Sequence, residues 1–216
     1  MIILIQNLHK AKEYKEETLH LAGSIADRFL ASLASKNQEV PDLIALSTIC
    51  LLLAAKLEQP MSPSFLRMIN LLPEDQRQKV TKQKLVALEE KIIKELNFQM
   101  HYAGPIPYLN RFQRFYNIDI EKGNQGAKQV GFAARQFCRF MMRKPEFLNF
   151  KASTQAAAAF VLAMNLATSG KAGRLGLATL AHGHYSHVEG IDGHDPLRFW
   201  TQGLSQLAFI QQNEFR

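Results

Sequence analysis

Apolar residues recur along this chain at steps of three and four, and Val, Ile and Thr rarely alternate with polar neighbours, so helices are predicted and a sheet is not. The first set of helices is expected over residues 2–12, 17–35, 41–57, 63–71, 82–97 and 105–115, and a second set over 126–143, 152–168, 173–182 and 196–211. Helix breakers fall between them: Pro41, Pro60, Pro63, Pro73, the Gly104 to Pro107 segment, Gly123, Pro145, Gly170 and the loop from Gly190 to Pro196.

Two of the predicted helices are apolar nearly all round, which places each at the centre of a bundle rather than on its surface. They also resemble one another. A slide of 109 residues sets Leu51-Leu52-Leu53-Ala54-Ala55-Lys56-Leu57 over Phe160-Val161-Leu162-Ala163-Met164-Asn165-Leu166. A shared central helix at that offset predicts two similar helical bundles in tandem, residues 1–103 and 104–216, joined near Tyr102 to Pro107.

Within the first bundle two charged residues interrupt apolar patterns. Lys56 follows three leucines and two alanines, and Glu89 lies in a helix whose apolar positions are 85, 88, 92 and 96. An unpaired ammonium is costly to bury, so Lys56 must either reach solvent along its stem or hold a partner. A lysine in a last helical turn also favours the macrodipole by roughly 0.3–1 kcal/mol, which needs no functional role. Asn165 at the matching place in the second bundle shows that a central helix of this kind does not require the lysine.

Composition narrows the function classes. The formal net charge is +7, and it is unevenly spread: residues 1–110 carry 13 Lys/Arg against 12 Asp/Glu, residues 111–216 carry 13 against 7. No apolar run is long enough to span a bilayer, and the apolar start Met1 to Ile5 lacks the basic leader and cleavage site of a signal peptide. Cys50 and Cys138 both sit in apolar helical patterns, which suits buried thiols in a reducing compartment; a cytoplasmic or nuclear location is expected. No nucleophile constellation, phosphate loop or paired-acid arrangement is present, so the chain is not expected to be an enzyme or to carry a cofactor.

The ordered words Glu17-Thr18-Leu19-His20-Leu21-Ala22, Asp27-Arg28-Phe29-Leu30, Leu51 to Glu58, Leu88-Glu89 and Leu96-Asn97-Phe98 resemble the cyclin box. The resemblance runs from Met1 to about Tyr116 and continues more faintly to about Phe209. It implies an all-α fold of two tandem five-helix bundles and a regulatory subunit that binds and activates a cyclin-dependent Ser/Thr protein kinase. In that family the lysine ending the third helix and the glutamate of the fifth hydrogen-bond the kinase around its regulatory helix, and Lys56 and Glu89 occupy those positions. Asp27 and Arg28 belong to the framework of the box. Two positions depart from the pattern: Met1 stands where an arginine is usual and Asn7 where a tryptophan is usual. That arginine pairs in the family with the aspartate matching Asp27, so Asp27 is expected to find another partner or to face solvent. The same departures motivate an alternative, a non-activating structural subunit of a larger assembly.

Further candidates lie in the second half. Lys128, Arg135, Arg139 and Arg143 form a basic stripe opposite Val130, Ala134, Phe137 and Met141. The stripe fits docking of an acidic partner, or is simply the wet side of an amphipathic helix; with no aromatic residues expected among the arginines, nucleic acid is not the expected partner. Four of the seven histidines crowd between His182 and His194, in a spacing that matches no metal motif, so no metal is expected. Arg174-Leu175-Gly176-Leu177 fits a minimal degradation signal by pattern alone.

Overall fold

The structure is a computed structural model that describes residues 1–116, 118 and 125–168. The predicted helices at 173–182 and 196–211, the histidine-rich segment and Arg174 to Leu177 lie outside the described residues. The chain divides into two compact units, Met1–Ala103 and Gly104–Arg216. All regular structure among the described residues is helical, as the apolar periodicity predicts.

The first unit is built around one helix. Helix α1 (Ile2–Lys12) and α2 (Glu16–Ser35) precede α3 (Leu43–Glu58); the short α4 (Phe65–Ile69) and α5 (Glu74–Arg77) follow, and α6 (Lys82–Glu95) closes the unit. Every residue from Ala45 to Ala55 is buried, so α3 is enclosed by α1, α2, α4 and α6. Its two hydroxyls cause no conflict in that setting. Ser47 Oγ donates to the Leu43 carbonyl (2.7 Å) and Thr48 Oγ1 to the Ile44 carbonyl (2.8 Å), so both polar groups are satisfied within the helix.

Local chemistry sets the helix ends. Helix α3 begins at Leu43 rather than at Pro41 because the Asp42 carboxylate caps it, accepting from the amides of Ile44 (3.0 Å) and Ala45 (2.9 Å). Ser64 and Thr81 cap α4 and α6 in the same way. The single turn α5 is too short to leave a periodic signal. It is held by Arg77, whose guanidinium donates to the carbonyls of Asn70 and Leu72. At the end of α6 two consecutive residues, Asn97 (φ 49°) and Phe98 (φ 60°), take the left-handed conformation. This is ordinary for asparagine and costly for phenylalanine. Arg28 fastens the chain just beyond that turn, donating to the carbonyls of Gln99 (2.6 Å) and Met100 (3.4 Å).

In the second unit α7 (Pro105–Phe115), α8 (Gln125–Met141) and α9 (Ala152–Thr168) pack on one another, with a 3-10 turn at Pro145–Asn149 between the last two. Pro105 sits at the first helical position of α7, where its missing amide hydrogen costs nothing. The core is Ile106, Leu109 and Phe112 from α7, Val130, Ala134 and Cys138 from α8, and the buried side of α9. Phe160 is its hub, with Phe112 and Tyr116 rings at 6.2 and 5.3 Å. Gln155 ties the 3-10 turn to α9 by donating to the carbonyls of Phe147 and Phe150.

Loss of the α3 cap is a direct check on this account. Asp42→Ala is expected to destabilise the chain by about 1 kcal/mol, seen as a lower urea midpoint at unchanged slope. An unmoved midpoint would show that burial of α3 fixes its start without the cap.

Candidate functional site

Helix α3 leaves the core at Lys56, the first residue after the buried run, and α6 runs beside it. The Lys56 ammonium lies 2.6 Å from Glu89 Oε1. It also lies 4.8 Å from the centre of the Phe65 ring, at the start of α4. The lysine side chain is 33% exposed and the glutamate side chain 16%, so this is a pair at the rim of the core, reachable from solvent. Such a pair is worth about 0.2–1 kcal/mol, and the ring contact adds an amount of similar order. The two residues singled out by sequence are therefore joined to each other, and an aromatic third member was not foreseen. Phe65 had no signal of its own, because contact between the start of α4 and the end of α3 depends on the turn from Gln59 to Ser64.

Around this pair the surface is unusually apolar for residues next to charge. Leu57 and Leu66, the sequence neighbours of Lys56 and Phe65, are 56% and 62% exposed, and Met61 in the connecting turn is exposed too. Beyond the C-terminus of α6, Phe98 is 76% exposed at the second left-handed position. Below the pair, Gln59 donates to Thr18 Oγ1 (2.6 Å), fixing the end of α3 to the start of α2.

Of the two framework residues, Asp27 departs from expectation and Arg28 does not. Arg28 is committed to the carbonyls of Ser24, Gln99 and Met100. Asp27 is half-buried, neither facing solvent nor in an ion pair with any described residue; burial raises its carboxyl above the ordinary aspartate range. Its field reaches Cys50, whose thiol is pushed up chiefly by burial and secondarily by Asp27, and Tyr102, raised first by burial and then by Asp27. The cause is burial, and Met1, standing where the cyclin resemblance implies an arginine, brings no guanidinium of its own.

The basic stripe also needs correction. Arg135 is not on the wet side of α8: half-buried, it donates to Asn110 Oδ1 of α7 (2.9 Å) and acts as an internal brace. Lys128 and Arg143 are exposed and Arg139 is half-buried. Aromatic residues do stand among these cations, since Phe132 and Phe140 are 66% and 53% exposed. Among the described residues no group of three or more His, Cys, Asp or Glu side chains could hold a metal ion, and no helix is long and apolar enough to cross a membrane.

Comparison with known proteins places this geometry in a family. Residues 1–101 match the model of the cyclin N-terminal domain. The chain is 26% identical over 164 residues to cyclin-D1-1 of Oryza sativa subsp. japonica, covering 76% of this chain and 42% of the relative. It is 27% identical to G2/mitotic-specific cyclin-2 of Saccharomyces cerevisiae over 159 residues, 72% of this chain and 28% of the relative. To cyclin-A2 of Xenopus laevis it is 27% identical over 156 residues, 70% of this chain and 34% of the relative. Residues 1–101 are thus a cyclin N-terminal domain, and the chain spans well under half the length of these relatives.

The unpaired carboxylate gives a pH prediction. Because the folded-state pKa of Asp27 is raised, the folded chain binds its proton more tightly than the unfolded chain does, so stability contributed at this site falls as pH rises through the folded pKa. Asp27→Asn is therefore expected to raise the melting temperature at pH 7 by a few degrees, with the gain shrinking on acidification towards the usual aspartate range. A lower melting temperature at pH 7 would show instead that the charge is stabilising.

Proposed function

We propose that this chain is a non-catalytic regulatory subunit that binds and activates a cyclin-dependent Ser/Thr protein kinase through the surface bearing Lys56 and Glu89. The observation that carries the proposal is the Lys56–Glu89 pair itself: two charges at 2.6 Å, partly exposed, at a place where exposed leucines surround them. An interface residue that must remain soluble when alone and offer directional bonds when bound is well served by this arrangement. The ammonium has three donors and the carboxylate several acceptor sites, and one mutual contact does not exhaust either. Both can turn towards backbone groups at the end of a partner helix, while Leu57 and Leu66 supply the apolar area that such a contact buries. Positioning the kinase's regulatory helix would then set the kinase's own Lys–Glu pair for phosphoryl transfer, the chain itself doing no chemistry.

The pair supports a test that separates binding from folding. Lys56→Glu and Glu89→Lys each break the internal contact and set like charges face to face, Lys56→Glu losing the Phe65 ring contact as well, and are expected to cost about 1–2 kcal/mol of stability. The double exchange restores an internal pair with reversed polarity. Stability should recover in the double variant, whereas kinase capture and activation should stay at least about tenfold below wild type in all three. Full activation by the double variant would sink the proposal, and capture of scaffold proteins in place of a kinase would favour the structural-subunit alternative.

A further inference from the structure

The turn between Lys56 and Phe65 holds a feature that kinase binding does not use. Ser62-Pro63 is the only place among the 216 residues where a serine or threonine precedes a proline. Pro63 is buried, while Ser62 stands exposed in the irregular segment between α3 and α4. One class of Ser/Thr kinases takes a serine only where proline follows, and a proline there has no amide hydrogen to leave unpaired. Ser64, two residues on, is engaged otherwise: its hydroxyl caps α4, accepting from the Arg67 amide (3.3 Å). The Ser62 hydroxyl has no such engagement with any described residue.

We propose that Ser62 is phosphorylated by a proline-directed Ser/Thr kinase and that its phosphate, drawn to Lys56, closes the Lys56–Glu89 surface to its partner. The step moves the γ-phosphoryl group of ATP to Ser62 Oγ. The bond from the γ-phosphorus to the bridging oxygen breaks, the Oγ–P bond forms, the hydroxyl proton leaves to the modifying kinase's catalytic base, and ADP departs. Ser62 stands three residues before Phe65, at most about 11 Å along an extended chain, and the Lys56 ammonium lies 4.8 Å from the centre of that ring. A phosphoserine carries about −1.5 to −2 charges at pH 7 and three strong acceptor oxygens, so an ammonium at this range attracts it. Lys56 spends one contact on Glu89 and keeps donors for a second anion. The rim then changes character, from a neutral pair to one cation between two anionic groups. A partner could bury Leu57, Met61 and Leu66 only with that phosphate beside them, at the cost of stripping its water. The loss of binding rests on the kinase-binding function proposed for this surface; the modification and its pairing with Lys56 do not.

The full chain is incubated with a purified proline-directed Ser/Thr kinase and ATP labelled at the γ-phosphorus, and the modified residue is located by mass spectrometry. Wild type and Ser64→Ala are expected to take up phosphate at Ser62, and Ser62→Ala to lose that uptake with its melting temperature unchanged. The phosphorus NMR signal of the phosphoserine then reports its neighbour. Its titration midpoint, ordinarily near about pH 6, should lie about 0.3–0.5 pH unit lower in wild type than in Lys56→Gln. Phosphorylated chain immobilised on beads should capture at least about tenfold less purified cyclin-dependent kinase than unmodified chain does. No phosphate at Ser62, an equal midpoint in Lys56→Gln, or undiminished capture after phosphorylation would each overturn the proposal. If the unmodified chain captures no kinase, kinase binding itself is refuted, while phosphate uptake and the titration midpoint still decide the modification and its pairing with Lys56.

Discussion

Eleven consecutive residues of α3, Ala45 to Ala55, are shut away from water, and a helix buried on every side can exist only if other elements surround it. This one requirement organises the first unit. Helices α1, α2, α4 and α6 supply the enclosure, and the hydroxyls of Ser47 and Thr48 are tolerated because they turn back onto their own helix. It also decides where chemistry can be displayed. The first charged side chain after the buried run is Lys56, so the core delivers that ammonium to a fixed point at its edge, beside Glu89 of α6 and over the ring of Phe65.

Much of this could be read from the residues alone, for a physical reason. A central helix is apolar on all faces and a flanking helix on one, so the periodicity that predicts eight of the nine described α-helices also predicts the central place of α3. Lys56 and Glu89 were visible because a charge is conspicuous in an apolar pattern. The pattern alone starts α3 at Pro41, two residues early, because it begins before the Asp42 cap does. Helix α5 leaves no signal because its four residues span barely one turn, too few for a period to repeat.

What remained hidden depends on contacts between segments distant in sequence. Phe65 under Lys56 and Arg28 on the carbonyls of residues 99 and 100 require the fold to be known first. The arginines of α8 illustrate the same limit. Four-residue spacing put Arg135 with its neighbours, but only the approach of Asn110 shows that it is spent on internal bracing. Asp27 is a further case: its missing first-helix partner was readable, while its half-buried state without a substitute was not.

The Arg28 anchorage has a consequence for how damage would propagate. The guanidinium of α2 holds main-chain oxygens that any side chain at Gln99 or Met100 would offer equally well, so those two positions are free to drift in sequence while Arg28 is not. Lysine could not substitute simply, having no planar fork to span two successive carbonyls. A single inherited change in the middle of α2 would thus loosen the strap leading out of the first unit, seventy residues away, and would leave every residue of that strap intact.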